Sequence, residues 1–449
     1  MNGEPVGRWT IDARGQDELH YDKSWMESDR GRPVSLSMPF RPADPYKGDV
    51  VRNYFDNLLP DNNKVRTRIA RHFNTTTDTF NLLAEIGRDC VGAIQLLPDD
   101  GTPKNPFAVD ATPLSPEDVE RYLSNTISDD RFQREDEDEF RISLAGNQEK
   151  TAFLRWNDRW SLPHGSTPTT HIFKLPLGIT PRGIDLSTSV ENEWLCGKIL
   201  KAYQIACADA EMLTFGKQRV LCATRFDREA RPKKNGFIRL PQEDFAQVFG
   251  VSSDQKYEEA GGPGIDKILH QLLGSERAEA DRKDFFRTQV LFWMLAAIDG
   301  HAKNFSIFIQ RRGAFALTPR YDVLSAHPFL GHRAGQISPE KAKMAMAVTG
   351  RNRHYRWHTI QRRHFEETAS RCRVPDAKVV IDELISMTPA AIQEVSQKLP
   401  KHFPNKVAGP IFDGLKAAAE KLHMKPAPRA APSSPPQARP GTASLTQEK

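Results

Sequence analysis

The sequence predicts an α+β fold with two lobes, a mixed α/β N-terminal lobe and a mainly α-helical C-terminal lobe. Strand-like alternation of apolar and polar residues clusters between residues 140 and 175, whereas the pattern after Val190 is mostly helical. A segment rich in Pro, Asp and Glu, residues 103–139, separates these elements from a compact α+β unit in the first hundred residues. The length of 449 residues is sufficient for two or three domains.

We expect four regions along the chain. Residues 1–105 form a small N-terminal subdomain, residues 106–139 a linker, residues 140–424 the core with its helical lobe, and residues 425–449 a tail. The tail is rich in Ala, Pro, Ser, Arg and Thr and has no apolar periodicity. Because such a composition cannot bury a core, we expect the tail to be disordered.

The N-terminal subdomain is predicted to contain both strands and helices. Alternating residues predict strands over 8–12, 34–38 and 91–97. Helical periodicity predicts helices over 50–59, 64–73 and 80–86. Between the first two helices, Pro60 and Asp61 are typical of a helix end and a new helix start.

The core begins with strands and continues with helices. Strands are predicted over 140–144, 151–155, 159–162 and 170–175, with Asn157-Asp158 as a hairpin turn. Beyond Val190, strands are predicted only near 219–226 and in a hairpin formed by 305–309 and 314–317. The segment 284–298 is apolar nearly all round and predicts a central helix, and the last helix ends near His423.

Composition excludes several classes of protein. Apolar residues make up 38% and charged residues 27%, which is typical of a soluble globular protein. The net charge of +5 provides no whole-chain argument for nucleic-acid binding. The longest apolar run, residues 290–298, is too short to span a bilayer, so we expect a cytoplasmic protein without membrane contact. Five scattered cysteines without a CxxC pair favour reduced thiols over disulfides or a metal cluster.

The segment Asp299-Gly300-His301-Ala302-Lys303-Asn304 is the first candidate for chemistry. An Asp five residues before an Asn, on a short turn between buried elements, is the arrangement of a protein-kinase catalytic loop. In such a loop the Asp accepts the proton of an attacking hydroxyl, the Asn holds magnesium, and a Lys can neutralise charge on the transferred phosphate. On its own, Asp-Gly is also an ordinary turn.

Three further candidates occur in the order found in kinases. The segment 145–150 (AGNQEK) lies between strand patterns and could wrap phosphate oxygens, although it is also compatible with a plain hairpin loop. Lys174 ends a predicted strand and could reach phosphates or lie at the surface; Glu193, or its neighbour Glu191, could orient it by an ion pair. Asp322 follows the hairpin as a magnesium-binding Asp would, or serves only as a helix N-cap. The joint order is stronger evidence than any one member.

These residues and several longer stretches resemble the HipA family of bacterial serine/threonine kinase toxins. The resemblance runs from about Val6 to His423. It is carried by these stretches: SLAGNQEKTAFLR (143–155), TPTTHIFKLP (167–176), NEWLC (192–196), RLPQEDFAQVFG (239–250), KYEEAGGPGI (256–265), DGHAKNFSIFIQ (299–310), LTPRYDVLSA (317–326), FDNLLPD (55–61) and LLAEIGRDCVGA (82–93). It implies a bilobal, protein-kinase-like fold.

The resemblance also implies residue roles, with ATP and Mg²⁺ as cofactors. Asp299 is expected to be the catalytic base, Asn304 and Asp322 the magnesium ligands, and Lys174 the phosphate-binding lysine. Ser143 corresponds to the serine that family members autophosphorylate to expel the phosphate loop and silence the kinase. The remaining expected nucleotide contacts are the phosphate loop (Ala145, Gly146, Asn147, Gln148, Glu149, Lys150), the adenine hinge (Thr224, Arg225, Phe226), and His301, Ala302, Lys303 and Tyr321.

Two departures from the family pattern, Asn147 in the phosphate loop and Thr224 in the hinge, leave the expected catalytic groups in place. By resemblance, the partners are a HipB-like helix-turn-helix antitoxin, operator DNA bound through that complex, and a translation-related protein substrate. An aminoacyl-tRNA synthetase such as glutamyl-tRNA synthetase would be that substrate, and its phosphorylation would cause growth arrest and persistence.

A basic segment fits a role near DNA, or is a solvated surface. It contains Arg351, Arg353, Arg356, Arg362 and Arg363, interleaved with Tyr355 and Trp357. Two alternatives to a toxin kinase remain. One is a DNA-binding corepressor that keeps the kinase scaffold as a nucleotide sensor with little kinase activity, and the other is a small-molecule kinase.

Overall fold

The computed structural model describes residues 1–41, 44–99, 101, 105–127, 143–146, 148–231 and 235–424. The predicted tail, Asn147 and most of the predicted strand over 140–144 therefore lie outside the described residues. Across the described ranges, no helix combines the length and the apolar character needed to cross a membrane.

The N-terminal domain packs a small antiparallel sheet against helices. Three strands pair in the order β1-β2-β3: β1 (Gly7–Ile11), β2 (Asp17–Tyr21) and β3 (Tyr46–Lys47). Four helices accompany them: α1 (Lys23–Glu27), α2 (Asp49–Asp56), α3 (Asn63–His72) and α4 (Thr79–Ile86). Trp9 of β1 stacks on Phe55 of α2 with ring centroids 3.9 Å apart, which joins the sheet to the helical layer.

Two strands predicted in this domain are absent. Over residues 34–38 side chains take the backbone donors that a sheet would use: Glu243 accepts from the Leu36 N–H and the Ser35 hydroxyl accepts from the Ser37 N–H. Residues 91–97 form a turn and extended chain, with the Gly92 N–H bonded to Asp227. Both segments contact the core of the protein through these hydrogen bonds. The alternation of apolar and polar residues therefore did not indicate a sheet strand here.

The core begins with a six-stranded antiparallel sheet in the order β4-β6-β5-β7-β9-β8. Its strands are β4 (Ala111–Pro113), β5 (Lys150–Trp156), β6 (Arg159–Pro163), β7 (His171–Lys174), β8 (Ala210–Phe215) and β9 (Gln218–Thr224). The β5–β6 turn has positive φ at both Asn157 and Asp158, as a two-residue hairpin requires.

Two helices, α5 (Pro116–Ile127) and α6 (Ser189–Ala202), pack on this sheet. Part of the segment expected to be a linker thus contributes a strand and a helix to this lobe.

The second half of the core is mainly helical. Its helices are α7 (Phe245–Val248), α8 (Ile265–Gln271), α9 (Ala278–Met294), α10 (Arg362–Cys372), α11 (Ala377–Gln397) and α12 (Asn405–His423). Helix α9 contacts both α11 and α12 and is buried along most of its length, as its apolar C-terminal end (residues 290–294) predicts.

Small antiparallel ribbons complete this lobe: β10 (Arg228–Ala230) with β11 (Phe237–Arg239); β12 (Gln242–Asp244) with β13 (Ser306–Ile309) and β14 (Phe315–Leu317); and β15 (Lys343–Thr349) with β16 (Arg353–Arg356). The prediction of strands only near 219–226 and 305–317 beyond Val190 was wrong. Strand β15 is built from Met and Ala, which favour helices, and its burial decides its conformation.

Candidate active site

A cleft of about 250 Å³ lies where the N-terminal domain, the six-stranded sheet and the helical lobe meet. The N-terminal domain contributes Asn57, Leu58, Asp61 and Val91 to its walls. Most of the predicted site residues line it: Ala145, Gly146, Gln148, Lys150, Lys174, Thr224, Arg225, Phe226, Asp299, His301, Lys303, Asn304, Tyr321 and Asp322. Residues far apart in sequence are thereby brought to one cavity.

Lys174 lies at the centre of an ion-pair network. Its Nζ is 2.6 Å from Oε1 of Glu193 on α6 and 2.6 Å from Oδ1 of Asp322. Burial alone would lower the pKa of Lys174, but the two carboxylates reverse this and raise it. Glu191, the alternative partner, instead pairs with Arg219 on β9.

Asp322 connects this network to Asn304. The Asn304 amide donates to Oδ2 of Asp322 at 3.2 Å. Asp322 has a positive φ of 60°, which is uncommon for a residue with a side chain and aims its carboxylate into the cleft. Burial opposes ionisation of Asp322, but the ammonium groups of Lys174 and Lys150 hold its pKa well below the usual range.

Asp322 and Asn304 fit a magnesium ion that is also held by substrate phosphates. One carboxylate and one amide oxygen are a typical protein contribution to such a site, because Mg²⁺ keeps several water or phosphate ligands. Within the described chain no cluster of three or more His, Cys, Asp or Glu residues could hold a metal by itself. The Asn304 amide oxygen accepts from the His301 N–H at 3.1 Å, which turns the amide NH₂ toward Asp322, so binding an ion between the two side chains would require this amide to turn.

Asp299 is exposed in the cleft and accepts a 2.6 Å hydrogen bond from the hydroxyl of Tyr257. The Tyr257 ring packs edge-on against His301, with centroids 5.0 Å apart. Burial and the Asp299 charge raise the pKa of Tyr257, so its hydroxyl remains a donor. One oxygen of Asp299 is thus held by the protein while the side chain stays accessible.

Lys303 is held by the N-terminal domain. Its Nζ is 2.7 Å from Oδ1 of Asp61 and 3.3 Å from the carbonyl oxygen of Asn57, while Lys256 contacts Oδ2 of Asp61 at 2.6 Å. Burial would raise the pKa of Asp61, but the two ammonium groups lower it to about 2. Tyr321 donates to the Lys303 carbonyl at 2.8 Å.

The candidate phosphate loop contacts the N-terminal domain through a backbone hydrogen bond. Gly146 has a φ of 107°, a backbone conformation that strains any residue with a side chain, so this position favours glycine. Its carbonyl accepts from the Asp61 N–H at 3.1 Å. Burial lowers the pKa of Lys150 to about 8, partly offset by Asp322.

Ser143, two residues before the first residue of this loop, is fully buried. Its hydroxyl donates to the carbonyl of Leu58 at 2.7 Å, and its N–H donates to the carbonyl of Asp89. A phosphate has no room at this position, so modification of Ser143 requires the loop to leave.

The hinge candidates begin at the last residue of β9 and continue into the segment after it. The Phe226 ring lies 5.7 Å from the ring of Tyr321, which forms an apolar surface at the cleft. The Arg225 guanidinium points away into a buried cluster whose members are Asp89, Asp227, Arg228 and Arg239. Arg225 therefore offers its backbone, not its charge, to a ligand.

Two predicted contacts do not line the cleft. Glu149 pairs with Arg68 of α3 at 2.7 Å, and Ala302 is buried with its N–H bonded to the Lys256 carbonyl. Conversely, Asp61, Lys256 and Tyr257 contact predicted site residues, although the sequence did not predict them as part of the site. They lie in the family-like stretches FDNLLPD and KYEEAGGPGI, which was the available signal.

The basic segment is partly neutralised. Arg353 pairs with Glu258 at 3.1 Å, and Arg362 pairs with Glu366 and Asp382. Arg351 and Arg356 remain exposed. The segment is therefore less basic as a surface than its sequence indicates.

Comparison with known proteins identifies the family. A model described as the HipA-like C-terminal domain matches residues 142–392, more than half of the chain, and the HipA N-terminal domain matches residues 1–97. The chain belongs to the HipA family. Among the relatives of this chain, a protein of Sinorhizobium fredii that is named kinase Y4mE is 30% identical over 353 residues, covering 77% of this chain and 79% of the relative. The serine/threonine-protein kinase toxin HipA of Shewanella oneidensis is 26% identical over 333 residues, covering 71% and 72%.

The HipA fold is also found by structure comparison. A chain in the solved complex of Shewanella oneidensis HipA, HipB and operator DNA superposes with a TM-score of 0.75 at 21% identity, covering 93% of this chain and 95% of that one. The predicted α+β, bilobal, kinase-like fold is confirmed.

Proposed function

We propose that this HipA-family chain is an ATP-dependent serine/threonine protein kinase that acts as the toxin of a toxin–antitoxin module. The observation that carries the proposal is the network in which Lys174 joins Glu193 and Asp322, with Asn304 bonded to Asp322 and Asp299 open to the same cleft. Phosphoryl transfer requires a phosphate-binding cation, metal ligands and a base, and these groups supply all three.

Each group has a separate task in the reaction. Lys174, kept charged by its two carboxylates, would hold the non-transferred phosphates of ATP, and the backbone around Gly146 would cover them. Magnesium bound by Asp322 and Asn304 would neutralise charge on the β- and γ-phosphates. Asp299 would accept the proton of a serine or threonine hydroxyl as that oxygen bonds to the γ-phosphorus and the bond to ADP breaks.

Autophosphorylation of Ser143 would switch the enzyme off. The hydroxyl is buried against Leu58, so phosphate there is incompatible with the folded phosphate loop. Loss of that loop would separate Gly146 from Asp61 and remove the cover of the nucleotide phosphates.

The partners follow from the family. A HipB-like antitoxin and operator DNA are supported by the likeness to a complex of that composition. The substrate would be a translation-related protein such as an aminoacyl-tRNA synthetase, whose phosphorylation would arrest growth.

Brief induction in cells, followed by phosphoproteomics, tests the proposal. We expect growth arrest and new phosphoserine or phosphothreonine on a translation protein with the natural chain, and neither with Asp299→Gln. Arrest that persists in Asp299→Gln would favour the corepressor alternative, and ATP turnover without any protein labelling would favour a small-molecule kinase.

A further inference from the structure

Asp61 belongs to the N-terminal domain, yet it contacts three parts of the active site. Its carboxylate binds Lys303 through Oδ1 and Lys256 through Oδ2, and its backbone N–H donates to the carbonyl of Gly146 in the phosphate loop. The side chains of Asp61 and Lys303 are only 8% and 4% exposed, so solvent screens these contacts weakly.

The loop that carries Asp61 is held by hydrogen bonds from both sides. Arg66 of α3 donates to the Pro60 carbonyl at 2.6 Å and to Oδ1 of Asp56 at 2.7 Å, and Asn62 caps α3 through the Lys64 N–H. The carboxylate is therefore presented at a fixed place by two helices, α2 and α3, rather than by a mobile side chain on a free loop.

The two lysines connect Asp61 to the catalytic carboxylate. Lys303 is one residue before Asn304 in the catalytic loop. Lys256 precedes Tyr257, whose hydroxyl bonds to Asp299, and the Lys256 carbonyl accepts from the Ala302 N–H at 3.1 Å. Fixing both ammonium groups on one carboxylate thus fixes the two segments that flank Asp299.

We propose that Asp61 is a positioning residue for phosphoryl transfer, through which the N-terminal domain holds the catalytic loop in its working arrangement. The same carboxylate keeps the ammonium groups of Lys303 and Lys256 away from bound nucleotide. The inference rests on the proposed kinase function and deepens it, because it makes activity dependent on a domain outside the kinase core. Since Gly146 bonds to the same residue, expulsion of the phosphate loop would also release a constraint on Asp61.

This arrangement predicts opposite effects on binding and catalysis when the charge is removed. In Asp61→Asn, Lys303 and Lys256 become free to attract phosphates, so nucleotide should bind more tightly, by about 5-fold. The catalytic loop loses its anchor, so the rate of phosphoryl transfer per nucleotide-binding site should fall by at least about 10-fold. Simple loss of folded protein cannot tighten binding.

The experiment uses the purified full-length chain and its variants. Calorimetry measures the affinity for Mg-ADP, and labelled ATP measures the rate of phosphoryl transfer. Both quantities are normalised to the number of nucleotide-binding sites. Asp17→Asn is the matched control, since Asp17 is a buried carboxylate of the same domain that accepts from Trp9 and does not line the cleft. It should retain both the natural affinity and the natural transfer rate.

Tighter ADP binding with slower transfer in Asp61→Asn supports the inference. Natural values for both, or weaker binding together with slower transfer, would overturn it. If Asp61→Asn does not fold, Lys256→Met tests the positioning role alone, because it breaks one arm of the contact and leaves Asp61 paired with Lys303. Transfer should then slow while ADP affinity stays natural, and unchanged transfer in that variant would count against the inference. A natural chain that transfers no phosphate would instead overturn the proposed function.

Discussion

The hydroxyl of Tyr257 donates a 2.6 Å hydrogen bond to Oδ1 of Asp299. The expected catalytic base is therefore oriented by a residue outside the catalytic loop, and only its second oxygen is free for a substrate hydroxyl. Tyrosine suits this task because burial and the neighbouring carboxylate keep its hydroxyl protonated.

Removing that hydroxyl should slow transfer without affecting nucleotide binding. In Tyr257→Phe the ring still packs on His301, but Asp299 loses its fixed orientation. We expect kcat to fall by about 3- to 10-fold, with unchanged ADP affinity. Steady-state kinetics and calorimetry on the same preparation measure both quantities, and a weakened ADP affinity with unchanged kcat would disprove the orienting role.

Two neighbouring glutamates on α6 should differ sharply in importance. Glu193→Gln removes one of the two carboxylates that hold Lys174, so kcat/KM for ATP should fall by about 10- to 100-fold. Glu191→Gln breaks only the contact with Arg219 on β9 and should leave kcat/KM unchanged. Equal losses in the two variants would show that the pairing of Lys174 with Glu193 has no special role.

A negative charge at Ser143 should imitate the silenced enzyme. The side chain is fully buried and bonded to Leu58, so Ser143→Asp should expel the phosphate loop and abolish detectable ATP binding. Ser143→Ala should retain binding and lose only autophosphorylation, with a stability cost of about 1 kcal/mol for the unpaired Leu58 carbonyl. Calorimetry with ATP distinguishes them; full ATP affinity in Ser143→Asp would rule out the expulsion account.

Stability should decline with rising pH because of Glu243. This carboxyl is completely buried and accepts from the Leu36 N–H, and burial raises its pKa from 4.5 to about 8. A carboxyl with a raised folded-state pKa contributes stability that is fully present below about pH 4.5 and is lost as the pH rises through about 8.

Glu243→Gln should remove that loss. Relative to the natural chain, we expect it to gain about 1–3 kcal/mol at pH 8.5 and little at pH 5, measured by denaturant unfolding at both values. A difference between the two chains that does not change with pH would show that Glu243 does not titrate in this range.

The order of Lys174, Asp299, Asn304 and Asp322 along the chain was sufficient to predict a common cleft, because these residues lie at ends of strands and on a short turn. Their contacts with the N-terminal domain were not predictable from the same pattern. Asp61 follows a proline in what looks like an ordinary helix boundary, and nothing local indicates that it binds Lys303, 242 residues away. Pairing across that separation depends on how two domains pack.

The prediction of secondary structure was wrong in two segments for a related reason. Residues 34–38 alternate like a strand, but Glu243 accepts from the Leu36 N–H and the Ser35 hydroxyl accepts from the Ser37 N–H, so no sheet forms. Strand β15 is rich in Met and Ala, and tertiary burial overrides their helical preference. Glu243 lies 207 residues from Leu36 in sequence, so this contact could not be predicted from local alternation.

The most direct test of the central claim is transfer of the γ-phosphate by the purified full-length chain. Incubated with Mg-ATP and followed by intact and peptide mass spectrometry, the natural chain should acquire one phosphate at Ser143, whereas Asp299→Asn should bind ATP and remain unmodified. Absence of any phosphorylation by a natural chain that binds ATP, or equal phosphorylation of Asp299→Asn, would contradict the account.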